Sequence, residues 1–223
     1  MGAQLQVKES LPHGLRRVCQ RHVRTALTHL EQPNSTAGIH AVRKDVKKMR
    51  AVLGLARGGL KRRQYRKIAN AMRLAAKPLS APRDALVTKN ALGKLSPRSA
   101  KLFETVRRSL EVYSNLEEHF YQANEIGAVT RYILQKLSKS TAELKTTQSG
   151  WRDLHPCLRK SYVRGRRAYH QSVRRPTPEN LHAWRKQVKN FREQLNFLCE
   201  EWPAKTAEMI RQLKSCGRRR ESG

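Results

Sequence analysis

The chain has 223 residues and a hydrophobic share of 38%, enough for one large or two small helical domains with thin cores. Its 47 Lys and Arg outnumber 17 Asp and Glu, for a formal charge of +30. Self-repulsion on that scale costs folded stability, so the composition points to a polyanionic partner rather than an inert basic surface. Residues 1–103 hold 23 cations against 4 acids and residues 154–223 hold 17 against 6, whereas residues 104–153 hold 7 of each. Two separated basic blocks do not describe a disordered polycationic tail.

The first decapeptide, MGAQLQVKES, lacks an apolar core of signal-peptide length, and Gln6 stands where a myristoylation motif needs Ser or Thr. No run of apolar residues is long enough to span a bilayer, so a cytoplasmic protein with no membrane partner is expected. Cys19, Cys157, Cys199 and Cys216 are too far apart for a CxxC pair, which suits a reducing compartment; a disulfide between distant positions is the alternative.

In chain order, core-spaced apolar residues predict a helix over 14–31, ended by Pro33-Asn34. Ser35 or Thr36 caps the next helix, whose stretch Ile39–Arg57 is stopped by Gly58-Gly59. A basic helix follows over 62–76. Ser80 before Ala81-Pro82-Arg83-Asp84, and Ser96 before Pro97, read as further starts. The neutral region reads as two long helices, 98–124 and 126–147, with Val106, Tyr113, Leu116, Val129, Leu134 and Leu137 among the positions expected to pack in a bundle. After a joint at Gly150-Trp151 comes a helix over 156–174. Thr177-Pro178-Glu179 then supplies a cap, a first-turn proline and an acid at the positive helix end. A last helix spans 204–216, after Trp202-Pro203. No stretch alternates with period two, so no strand is predicted.

The helix Ile39–Arg57 separates into two faces at about 100° per residue. Ile39, Val42, Val46, Met49, Leu53 and Ala56 form an apolar stripe, and His40, Arg43, Lys44, Lys47 and Arg50 form a basic row without an acid. Like charges at i,i+4 repel by a few tenths of a kcal/mol, so an uninterrupted row implies an anion that relieves it. A shift of 142 residues superposes this stretch on Leu181–Leu198. His182, Arg185, Lys186, Lys189 and Arg192 then repeat the row residue for residue, while Lys48 meets Asn190. The same shift aligns Arg17 with Arg159 and Arg24 with Arg166 on the preceding helices.

Catalytic equipment is sparse. Three aspartates, Asp45, Asp84 and Asp153, make a carboxylate-rich metal site unpromising, and neither GxxxxGK[ST], GxSxG nor HExxH occurs. His40 and His182 have three open roles: contact with an anion, a structural hydrogen bond, or a shared metal. Arg83 is either half of a helix-start ion pair with Asp84 or a further contact to the anion.

The repeated pattern apolar-His-x-x-Arg-[basic]-x-x-Lys-x-x-Arg-x-x-Leu, with Pro82-Arg83-Asp84 after the first copy, resembles the CHAD (conserved histidine α-helical domain) family over about residues 11–215. The resemblance implies an all-α fold of two pseudo-symmetric bundles, about 11–124 and 126–215, flanked by tails at 1–10 and 216–223. It further implies a central basic channel that holds inorganic polyphosphate, lined by the ten residues of the two rows. Arg17, Arg24, Arg83, Arg159 and Arg166 are the outlying candidates. No enzyme activity, cofactor or metal is expected, and the protein would be targeted to polyphosphate granules. The rows themselves contain no aromatic residue, which suits a polymer without bases. Nucleic-acid binding, motivated by the charge, Arg62-Arg63 and Arg218-Arg219-Arg220, is the second reading.

Overall fold

The computed structural model describes residues 3–31, 36–80, 104–123, 125–200 and 203–218. They form α1 (Leu11–Glu31), α2 (Thr36–Leu55), α3 (Arg62–Ala76), α4 (Glu104–Ala123), α5 (Ile126–Ala142), α6 (His155–Arg174), α7 (Pro178–Leu198) and α8 (Pro203–Arg218). Short 3-10 turns occupy Ala56–Gly59 and Trp151–Leu154. The fold is all-α: among the described residues no strand occurs, and Leu60 and Thr146 make an isolated antiparallel bridge.

Local chemistry accounts for most boundaries. The Thr177 hydroxyl accepts from Asn180 N at 3.3 Å, with Pro178 opening α7 and Glu179 in its first turn. The helix expected to run to Thr147 instead ends at Ala142. Beyond it the chain turns back on Gly59, whose carbonyl accepts from Thr147 N at 2.9 Å. A Cβ at Gly59 would overlap the Thr146 hydroxyl and the Gln148 side chain, so this approach needs glycine. The start signals at Pro82 and at Ser96-Pro97, and the predicted onset at 98, lie outside the described residues.

Contacts group the chain into two units, one of residues 1–22, 47–68 and 140–223, the other of residues 23–46 and 69–139. This differs from the expected division near residue 125. The reason is helix length: α1 and α2 have 21 and 20 residues, about 30 Å each, and each gives part of its length to both units.

In the first unit Leu11, Leu15, Val18, Cys19, Met49, Leu53, Leu55, Ile68, Leu154, Leu195, Phe197 and Leu198 are buried. Each such side chain contributes roughly 1.5–3 kcal/mol. Arg16 donates to Leu144 O at 3.2 Å and Gln20 to the Thr141 hydroxyl at 3.0 Å, joining α1 to the end of α5. Residues 3–10, expected to be a tail, are anchored on this core. Leu5 is 1% exposed, its N–H donates to Phe197 O at 2.7 Å, and Gln4 donates to Cys199 Sγ at 2.7 Å. A Cβ on Gly14 would overlap Leu5 and the Glu9 carboxylate, so the bare Gly14 backbone is what admits the segment.

In the second unit Val23, Ala26, Ile39, Val42, Val46, Met72, Ala75, Leu79, Leu134 and Leu137 are buried. Asp45 is buried with them, 3.9 Å from His29 Nε2. α5 buries Thr130, Leu134, Leu137 and Thr141, spaced i, i+4, i+7, i+11, so Val129 is turned about 100° away and stays exposed. Val106, Tyr113 and Leu116 of α4, also expected to pack, are about half exposed. All four cysteines are free thiols, and burial pushes the Cys19 thiol up to about 12.

Candidate anion-binding site

The apolar stripe of α2 lies in the core as its spacing requires, with Ile39, Val42, Val46, Met49, Leu53 and Ala56 all buried. That orientation turns the basic row outward. His40, Lys44, Lys47 and Arg50 are exposed and Arg43 is half-buried. α7 has the same profile: Val188 and Leu195 are buried, His182, Lys186 and Lys189 are exposed, and Arg185 and Arg192 are half-buried. Lys47, Arg50 and the whole row of α7 belong to the first unit; His40, Arg43 and Lys44 belong to the second.

Within the first unit the two helices meet at a buried hydrogen bond, from Gln194 Nε2 to Ala51 O at 3.2 Å. Ala51 follows Arg50, and Gln194 stands two residues after Arg192, so the bond joins the C-terminal ends of the two rows. Under the 142-residue shift Gln194 replaces Val52, a polar residue at an apolar position. That mismatch was the available signal for this tie, and sequence reasoning missed it.

Among the row arginines, Arg43 and Arg192 are held by neighbouring protein groups. Arg43 Nη1 donates to Ala76 O at 2.9 Å and to the Ser80 hydroxyl at 2.6 Å. It thereby satisfies a carbonyl at the end of α3, where a cation is also favoured by the helix dipole. Arg192 Nη2 pairs with Glu193 at 2.7 Å, an acid that the repeated row did not include. Arg43→Ala is expected to cost about 2 kcal/mol, from charged hydrogen bonds worth roughly 1.5–3 kcal/mol each in part replaced by water. The melting temperature of the protein without ligand should fall roughly 5 °C, at about 2–4 °C per kcal/mol for a chain of this size. An unchanged circular dichroism melt would refute the structural role of Arg43.

The outlying candidates are dispersed. Arg17 is 14% exposed and grips both oxygens of Glu9 at 2.6 and 2.5 Å, and it reaches Gln4 O at 2.6 Å. Arg24 is exposed on the part of α1 that belongs to the second unit. Arg159 and Arg166 are exposed on α6, beside Tyr162 and Tyr169. Arg83 lies outside the described residues. Among the described residues no cluster of three or more His, Cys, Asp or Glu could hold a metal, and no helix is long and apolar enough to cross a membrane. A cleft of about 470 Å³ in the second unit is lined by Leu27, Tyr132, Gln135, Lys136, Ser138 and Lys139, none of them a member of either row.

A family model, that of the CHAD domain, matches residues 17–218. Among solved structures, the crystal structure of the CHAD domain from the plant Ricinus communis is similar, with a TM-score of 0.64 and 14% sequence identity. The match covers 97% of this chain and 74% of that one, and at this identity it speaks for the fold alone. No curated protein matches the sequence.

Proposed function

Because the chain belongs to the CHAD domain family, we propose that it is a non-catalytic protein that binds inorganic polyphosphate on the basic faces of α2 and α7. The observation that carries this reading is the paired exposure of His40, Lys44, Lys47 and Arg50 on one helix and His182, Lys186 and Lys189 on the other. Each row extends about 15 Å from its His to its last Arg, at 1.5 Å rise per residue, enough to meet several successive phosphates. Ammonium and guanidinium groups donate charge-assisted hydrogen bonds to phosphate oxygens, and the histidines add a donor at the N-terminal end of each row. The rows present no Phe, Tyr or Trp ring for a base to stack on, so they suit a polymer of bare phosphates. Acting together, the two rows form one basic channel for the polymer, and this binding holds the protein at polyphosphate granules.

Calorimetric titration with polyphosphates of increasing length tests the reading. Affinity should rise with chain length and fall steeply with salt, because the polymer releases counterions on binding. Single-stranded DNA at equal phosphate concentration should displace little polyphosphate; full displacement would assign the rows to nucleic acid. Phosphate release from radiolabelled polyphosphate with magnesium would overturn the non-catalytic assignment. In cells, a granule association that survives removal of polyphosphate would overturn the targeting.

A further inference from the structure

The polyphosphate reading leaves the outer face of α6 unused. Arg159, Tyr162, Arg166, Tyr169 and Val173 recur there at spacings of three and four, within an arc of about 80°. Tyr162 is 53% exposed, Tyr169 46% and Val173 57%, and both arginines are exposed. About 110° round from this face, α6 carries a stripe of small residues, Ser161, Gly165, Ala168 and Ser172, with Ser161 and Ser172 buried. A Cβ added to Gly165 would lie 3.9 Å from Gln187 Cβ, an ordinary contact.

Aromatic residues of α7 hold the tyrosines in place. The Tyr162 ring lies 5.9 Å from that of Phe191 at 54°, and the Tyr169 ring 5.4 Å from that of Trp184 at 55°. Both are tilted arrangements within the favourable 4.5–7 Å range for aromatic pairs. The Tyr169 ring also lies 5.7 Å from that of His170, and both tyrosines keep about half of their surface open to solvent. Trp184 and Phe191 stand roughly 150° around α7 from the centre of its basic row, so this surface is separate from the rows on that helix.

The charge of α6 selects the class of ligand. The helix carries six Lys and Arg and no Asp or Glu. A stripe of cations alternating with half-open rings is the pattern that binds bases by stacking and phosphates by charge. From these features we infer that α6 carries a second site, which binds single-stranded nucleic acid with bases on Tyr162 and Tyr169. The tyrosines are seven residues apart, about 10.5 Å along the axis. That is about three times the 3.4 Å advance per stacked nucleotide, so the rings take bases two or three nucleotides apart. Arg166, between the rings, meets one of the intervening phosphates, and Arg159 meets the phosphate beyond Tyr162.

The test compares a labelled oligothymidylate with an oligomer of equal length whose sites are abasic, by fluorescence anisotropy on the full chain. Both carry the same phosphates, so the difference reports stacking alone. The wild type should bind the base-containing strand at least about tenfold more tightly. Tyr162→Ala with Tyr169→Ala should erase that preference, and Tyr162→Phe with Tyr169→Phe should keep it. Circular dichroism melts check that the variants fold. If the alanine pair unfolds, photo-crosslinking of the wild type to the oligomer decides, with adducts expected on Tyr162 or Tyr169. Equal affinity for the two strands, a preference that survives the alanine pair, or adducts confined elsewhere would overturn the site. Polyglutamate binding that depends on the same tyrosines would assign the face to an acidic protein and overturn it as well.

Discussion

Replacing Lys47, Arg50, Lys186 and Lys189 together by alanine is expected to weaken binding of long-chain polyphosphate about a hundredfold or more. Charged hydrogen bonds contribute roughly 1.5–3 kcal/mol each, and even at a third of the lower value four of them amount to about 2 kcal/mol, with the lost long-range attraction added. The salt slope should flatten by about 0.7 for each phosphate contact removed. On the proposed reading, in which the two rows act on one polymer, Lys47→Ala with Arg50→Ala, and separately Lys186→Ala with Lys189→Ala, should each weaken the same binding event about tenfold. All four side chains except that of Arg50 are lysines on exposed helix positions, so the fold should tolerate their loss. Arg62→Ala with Arg63→Ala, equally exposed on α3, removes the same charge from outside the rows and should change affinity far less. Equal losses for that control would leave only a diffuse basic surface. Two independent sites would announce themselves differently: one double variant would bind half the polymer at undiminished affinity.

The second large effect concerns stability. Glu9 receives the Arg17 guanidinium at 2.5 and 2.6 Å, the Gln6 N–H at 3.3 Å and a His13 ring nitrogen at 2.7 Å, with only 6% of its side chain exposed. The Arg17 hydrogen bond, foremost, holds the carboxyl at about 2 against its ordinary 4.5. A carboxylate with a depressed folded value stabilises the fold above its unfolded value, and that contribution is lost as pH falls through the folded one. The stabilisation is therefore complete above about pH 5 and disappears between there and about pH 2, and it amounts to about 3 kcal/mol at neutral pH. Glu9→Gln removes it and leaves the Arg17 charge half-buried without its counterion, so the melting temperature should fall by roughly 10 °C at pH 7. The gap between variant and wild type should close as the pH approaches 2. A gap that stays constant from pH 7 to pH 2 would mean that the ion pair contributes nothing.

This knot of Glu9, Arg17 and Gln4 also explains why residues 3–10, expected to be a tail, are anchored on the core through Leu5. Their sequence has one apolar residue of consequence, Leu5, and no periodic pattern that could announce burial. What admits them is the absence of a side chain at Gly14 and the Phe197 carbonyl, which accepts from Leu5 N, both supplied by other segments.

Helix positions and faces were legible in the sequence because they depend on neighbours three and four residues away. The stripe from Ile39 to Ala56, the row from His40 to Arg50, its repeat from His182 to Arg192, and the cap at Thr177 all follow from local spacing and local hydrogen bonding. The sequence also determined the kind of ligand to look for, since net charge is a sum that folding cannot change. Which cations are engaged by the protein itself was decided by tertiary structure. Arg43 is bonded to groups 33 and 37 residues further along the chain, and Gln194 to one 143 residues earlier. Such pairs leave no periodic trace, because loop closure brings together groups whose separation along the chain carries no information about their chemistry. The aromatic pairs Tyr162–Phe191 and Tyr169–Trp184 belong to the same class. Local spacing puts the tyrosines and their arginines on one face, and only the antiparallel approach of α6 and α7 sets each ring against an aromatic partner.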